Sequence, residues 1–208
     1  MLDGPAPEPD LDIILPLLDP ATFAQVGSWR AAHPPWAAQR DVAVVALCWI
    51  VGLRPLQIEH VRRRDWRPGG YILHAPGGVK YAGIRDRDLP VLAPARDAVG
   101  AYLRACLLPM PADGPLILRA DGAGFAERDV SSLNARIKKA TAGRIGGLAV
   151  LTGRYRLYVE RTMAVDGTVE RLVGRTGVYD HLDPGPKRLL RALEQTHPVG
   201  RGLLAILD

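Results

Sequence analysis

The chain has 208 residues, 48% of them hydrophobic and 24% charged, with a formal net charge of +5 and a pI near 9.5. These proportions exclude a disordered or low-complexity chain and leave room for one core, or one core with a small appendage. The longest apolar run, from Val42 to Leu53, is too short for a bilayer, which takes about 20 residues, so no membrane partner is expected.

The positive surplus is mostly arginine, whose guanidinium takes phosphate oxygens two at a time and so suits a polyanionic partner. A genome rich in arginine codons produces the same surplus without one. Cys48 and Cys106 lie in apolar stretches without metal-ligand spacing and read as small buried hydrophobes. The opening Met1-Leu2-Asp3-Gly4-Pro5 has no basic region followed by an apolar one, so no secretory signal is read and a cytoplasmic location is expected.

In chain order, residues 1–9 carry three prolines and read as a mobile tail, and the predicted tail extends through the short apolar segment ending at Leu18. Asp19-Pro20 opens a helix predicted to run to Ala32, where His33-Pro34-Pro35 ends it. Gln39 to His60 contains the most hydrophobic helix, stopped at Gly52 and followed by a second short helix after Pro55; this pair is the expected centre of the core. Residues 66–92 alternate β-prone runs with Gly-Gly and Pro-Gly turns and predict a small three-stranded antiparallel sheet.

Helices resume at Ala93 to Leu108. A brief extended piece follows at Leu116 to Leu118, then a turn at Asp121-Gly122, then an amphipathic helix from Glu127 to Ala142 with Arg136, Lys138 and Lys139 near its end. That cluster reads either as a DNA-facing patch or as a solvated face complementing the helix dipole. Thr152 to Val165, Thr168 to Val173 and Pro186 to Glu194 complete the predicted helices. The fold class is therefore α+β, mostly helical with one small sheet.

Three motifs in this order carry a resemblance. Gly52-Leu53-Arg54 closes a hydrophobic helix introduced by Arg40-Asp41; Gly78-Val79-Lys80 precedes a strand from Arg85 to Pro90; and Leu151-Thr152-Gly153-Arg154-Tyr155-Arg156 opens a later helix closed by Gly167. Together they resemble the catalytic domain of the tyrosine recombinase, or phage integrase, family, from about Asp19 to about Asp183. Residues 184–208 are then a C-terminal helix and tail.

The resemblance implies a chemistry. Arg54 and Arg156 hold the non-bridging oxygens of a scissile phosphate, Lys80 protonates the departing 5′ oxygen, and a tyrosine attacks phosphorus to form a 3′-phosphotyrosyl bond, with no metal, nucleotide or other cofactor. Duplex DNA is the implied partner, further contacted by Arg40, Arg85, Arg136, Lys138, Lys139 and Arg154. Each residue also has a plain reading: Arg54 as a helix-end arginine pairing with Glu59, Lys80 as a turn lysine, Arg156 as a surface residue.

Several positions depart from the family pattern. Gly153 stands where the family has a histidine, and Arg175, in Val173-Gly174-Arg175, replaces a second histidine or tryptophan; arginine can donate to phosphate but cannot serve as a base near neutral pH. Tyr179, in Tyr179-Asp180-His181, lies several residues closer to Arg156 than the family's nucleophile does, and reads equally as a displaced nucleophile or a packed aromatic. Little chain precedes Arg54, so the resemblance implies a grip on DNA from one side, unless a second copy or a larger recombinase completes the clamp.

Three readings follow. One is an active strand-transfer enzyme, another a recombinase-derived DNA-binding protein with cleavage attenuated or lost, and the third an unrelated α+β protein. Gly153 and Arg175 favour the second.

Overall fold

The computed structural model describes residues 11–25, 34–77, 86–162 and 197, with backbone alone for 156–162. Its element order is α1 (Leu11–Ile14), a 3-10 turn (Leu15–Leu18), α2 (Pro20–Ala24), α3 (Ala37–Trp49), α4 (Pro55–Ile58), β1 (Ile72–Ala75), β2 (Arg87–Pro90), α5 (Ala93–Ala105), α6 (Glu127–Ala140) and α7 (Leu148–Thr162).

The organising element is α3. Its sequence, AAQRDVAVVALCW, is apolar on nearly every side, and twelve of its thirteen residues are buried. A helix without a polar stripe must be covered all round. Here α5 and α7 supply the largest contacts, and α2 and the 3-10 turn also pack on it. Cys48 and Cys106 are free and buried, and burial pushes the Cys48 thiol up to about 12, which removes it as a nucleophile.

Helix α5 has Pro94 in its first turn and buries Ala95, Val99 and Tyr102, a helical stripe facing α3. The Tyr102 hydroxyl accepts from the Leu118 N–H at 2.9 Å, which ties the extended 116–118 piece to the core. Asn134 on α6 accepts from the Leu148 N–H at 2.8 Å, so α6 caps the start of α7.

Leu11–Leu18, ahead of the predicted domain start at residue 19, are helical here. Ile13, Ile14 and Leu17 are buried in the core. Pro16 does not break this segment because it falls in the first turn of the 3-10 helix, where its missing N–H goes unused.

Among the described residues the sheet has two strands, paired antiparallel with Leu73 opposite Leu89 and Ala75 opposite Arg87, where the sequence predicted three. Beside β1, Trp66 adds one isolated antiparallel bridge to Leu73. Pro68–Gly70, with Gly69 and Gly70 at positive φ, turn the chain from Trp66 into β1, and on the other side of Trp66 the 3-10 turn Arg63–Asp65 takes the chain out of extended geometry, so the pairing stops at one bridge.

His197 is 1% exposed and sits edge-on to Trp49 at 5.7 Å and against Tyr155 at 5.8 Å, between α3 and α7. Burial lowers its pKa to about 4, outweighing a hydrogen bond with the Trp49 backbone that acts the other way. An unfolded histidine titrates near 6.5. The folded state therefore resists protonation, and this part of the stability is complete above about pH 6.5 and declines as pH falls towards 4. The expected loss is on the order of 3 kcal/mol. Urea unfolding at pH 7.5 and pH 4.5 checks it, with His197→Phe expected to lose that fraction of the pH dependence.

Candidate nucleic-acid interface

Arg54 is placed by four neighbouring devices. Helix α3 ends at Trp49, and the chain turns at Gly52, whose φ is +79°, with the Leu53 N–H reaching back to the Leu47 carbonyl at 3.0 Å. A Cβ at Gly52 would lie 2.2 Å from the Tyr155 ring, so the glycine is needed for both its conformation and the close approach of α7. Arg54 itself is extended, as the residue before a proline must be, and stands at the N-cap of α4. Its N–H donates to Gln57 Oε1 at 3.1 Å, and the Thr152 hydroxyl donates to the Leu53 carbonyl at 2.9 Å.

Gln57 also joins this segment to the sheet, since its Nε2 donates to the Pro76 carbonyl at 3.0 Å at the end of β1. One buried amide thus holds Arg54 against the root of the predicted lysine hairpin. Arg54 is half-buried. Glu59, the carboxylate of its plain structural reading, has Oε1 buried without a hydrogen-bond partner.

From the sheet side comes Arg87, 8% exposed, whose charge and that of Arg54 act on one another. Burial, aided by Arg54, lowers its pKa to about 10, while the Tyr155 phenol acts in the opposite sense. Tyr155 is buried and its hydroxyl has no hydrogen-bond partner. Burial raises its pKa, so it is a neutral phenol, sealed from any attack on phosphorus.

Gly153 lies on α7, half-exposed, and a Cβ there would meet nothing within 4 Å. No described residue occupies the space at Gly153, where the resemblance places a histidine.

Of the other predicted site residues, Arg156 lies on α7, with only its backbone described; Arg154 is half-exposed on the same helix; and Lys138 and Lys139 are exposed in the last turn of α6. Lys80, Arg85, Arg175 and Tyr179 fall outside the described residues, as do residues 1–9 and the predicted helices at 168–173 and 186–194.

Arg40 and Arg136 require correction as DNA contacts. They are 4% and 8% exposed, and both turn inward onto Asp41, which is fully buried. Arg40 Nη2 meets Asp41 Oδ1 at 2.8 Å, and Arg136 Nη2 meets Asp41 Oδ2 at 2.6 Å. A buried carboxylate needs counter-charge, and these two arginines supply it from α3 and α6.

The residues that sequence reasoning passed over are Gln57 and Arg87. Strand parity was a usable signal for Arg87: in Arg87-Asp88-Leu89 the arginine shares the inward face with Leu89, whereas His74 and Asp88, on the other face, pair at 2.8 Å.

No family model matches the chain. Tyrosine recombinase XerC of Methylobacterium nodulans is 31% identical over 174 residues, covering 80% of this chain and 52% of that protein. XerC of Bradyrhizobium diazoefficiens is 33% identical over 107 residues, covering 50% of this chain and 32% of that protein. Among solved structures, XerA recombinase superposes with a TM-score of 0.61 at 18% identity, covering 95% of this chain and 67% of that one. XerH site-specific recombinase bound to its difH substrate superposes with a TM-score of 0.59 at 12% identity, covering 94% and 51%.

A small hairpin and a GLR-bearing helix end set among packed helices define a recombinase-type catalytic fold. The chain carries a domain of the tyrosine recombinase family. It spans about half the length of the XerC relatives that match most of it. No described helix is long and apolar enough to cross a membrane.

Proposed function

We propose that this domain binds duplex DNA through backbone phosphates, with Arg54 as the principal contact, and that strand cleavage through a phosphotyrosyl bond is attenuated or lost. The observation that supports this most is the construction around Arg54. Gly52, Gln57 and Thr152 all serve to hold one half-buried arginine, and a half-buried guanidinium backed by a second cation is a phosphate-binding arrangement.

In this reading Arg156 and the hairpin residues Lys80 and Arg85 approach the same phosphate, Arg175 donates where the family has histidine or tryptophan, and Arg154, Lys138 and Lys139 touch flanking phosphates. The catalytic-type domain covers residues 19–183, together with the packed helical segment before it. Attenuated cleavage follows from Gly153, which offers no side chain to accept or hold a proton, and from an arginine at 175. That the relatives are recombinases favours the alternative reading, a fully active recombinase with Tyr179 as nucleophile, acting as a homo-oligomer or beside a larger recombinase.

Incubation with a nicked duplex, in which a cleaved strand diffuses away and traps any covalent intermediate, separates the two. Retention of the DNA without a protein–DNA adduct on a denaturing gel is expected. A Tyr179-dependent adduct would establish the active reading.

A further inference from the structure

Among the described residues, Arg87 carries a buried charge without a buried counter-charge. Two of its guanidinium nitrogens, Nε and Nη1, are sealed from water and have no hydrogen-bond partner, and the nearby Tyr155 hydroxyl is in the same state. No ion pair joins it to a carboxylate among the described residues, and a charged group acting on it is a second cation, Arg54. The same protein shows what a structural buried arginine looks like: Arg40 and Arg136 are both closed onto Asp41. Its register partner in the sheet is Ala75, a side chain too small to offer anything polar.

A buried guanidinium on which a second cation acts opposes folding unless something negative approaches it. We propose that Arg87 is the second cation of the Arg54 site, a positioning residue set behind Arg54 whose uncompensated charge draws a phosphodiester of the DNA backbone onto it. With Nε and Nη1 sealed, it acts chiefly by charge, through Arg54. This rests on the DNA-binding reading, and the ligand class is the phosphate group that reading already names.

The test uses the full chain with Arg87→Met, Arg87→Lys and Arg54→Ala. Methionine is apolar and of similar length, so it removes the unpaired donors, and Arg87→Met is expected to match or exceed the wild type in urea stability. Its duplex affinity at low salt is expected to fall roughly tenfold or more, while Arg87→Lys, which keeps the charge, stays near wild type. A purely structural arginine predicts the reverse, with lost stability and unchanged affinity once folded.

The proposal is overturned if Arg87→Met binds duplex as the wild type does while Arg54→Ala does not, or if Arg87→Met fails to fold. If the wild type binds no duplex, the DNA reading fails alone. The decision then passes to inorganic phosphate, whose elevation of the wild-type Tm should be lost in Arg87→Met; equal elevation in both would overturn the proposal.

Discussion

Replacing Asp41 by alanine is expected to lower the unfolding free energy by about 3 to 5 kcal/mol. Asp41 is fully buried and is the shared counter-ion of Arg40 and Arg136. Its removal leaves two guanidinium groups in the interior, and an uncompensated buried charge costs more than the lost pair contributes.

Arg136 Nη1 donates to Ser132 at 2.8 Å, and Arg40 lies 5.8 Å over the Phe125 ring; neither the hydroxyl nor the ring replaces a carboxylate. The network also fixes α6 against α3, and α6 caps α7 through Asn134, so the helix carrying Arg156 is expected to loosen too. Urea unfolding at neutral pH measures the loss. Replacing all three, with Met, Leu and Met at 40, 41 and 136, should restore most of it, because apolar substitution of a whole buried ionic cluster is close to neutral. A change below about 1 kcal/mol in Asp41→Ala would place the network in solvent, contrary to its burial.

Gly52→Ala carries the second large effect. A non-glycine residue in the left-handed region costs roughly 1 to 2 kcal/mol, and a Cβ 2.2 Å from the Tyr155 ring forces that ring or α7 to move. Overpacking of this kind adds about 1 to 3 kcal/mol. The combined loss of about 2 to 5 kcal/mol is expected in thermal or urea unfolding. Because the turn sets the direction of Arg54, whatever folds should bind duplex DNA less well. Tyr155→Ala in the same chain removes the clash but not the backbone strain, so the pair should be non-additive, with the double variant losing less than the sum.

The fold was most legible where one physical demand dominated. The apolar sequence of α3 could only be a central helix, and Gly52 could only be its end. Arg54 followed from both. The charged residues were less legible, because periodicity tells which face a residue occupies but not what covers that face. Arg40 is adjacent to Asp41 in sequence, yet its role depends on Arg136, 95 positions from Asp41.

Lys138 and Lys139 lie on exposed positions of α6 while Arg136 does not, a difference set by where α3 lies and not by α6 itself. Three strands were expected across 66–92, and beside the described pair Trp66 adds only one bridge, because the chain reaches it from the 3-10 turn Arg63–Asp65 and not from an extended run. Arg87 was hidden because attention fell on Arg85 in the same run; its burial depends on the register that sets it opposite Ala75.

The central claim is that Arg54 is a phosphate contact, and duplex binding by the wild-type chain and by Arg54→Ala, titrated across a range of salt, tests it most directly. The wild type is expected to bind at low salt and weaken steeply as salt rises. Arg54→Ala should bind roughly tenfold or more weakly, with a salt slope lower by about one, since one phosphate contact has gone. Absence of wild-type binding at low salt, or the same affinity and slope in both proteins, would contradict it.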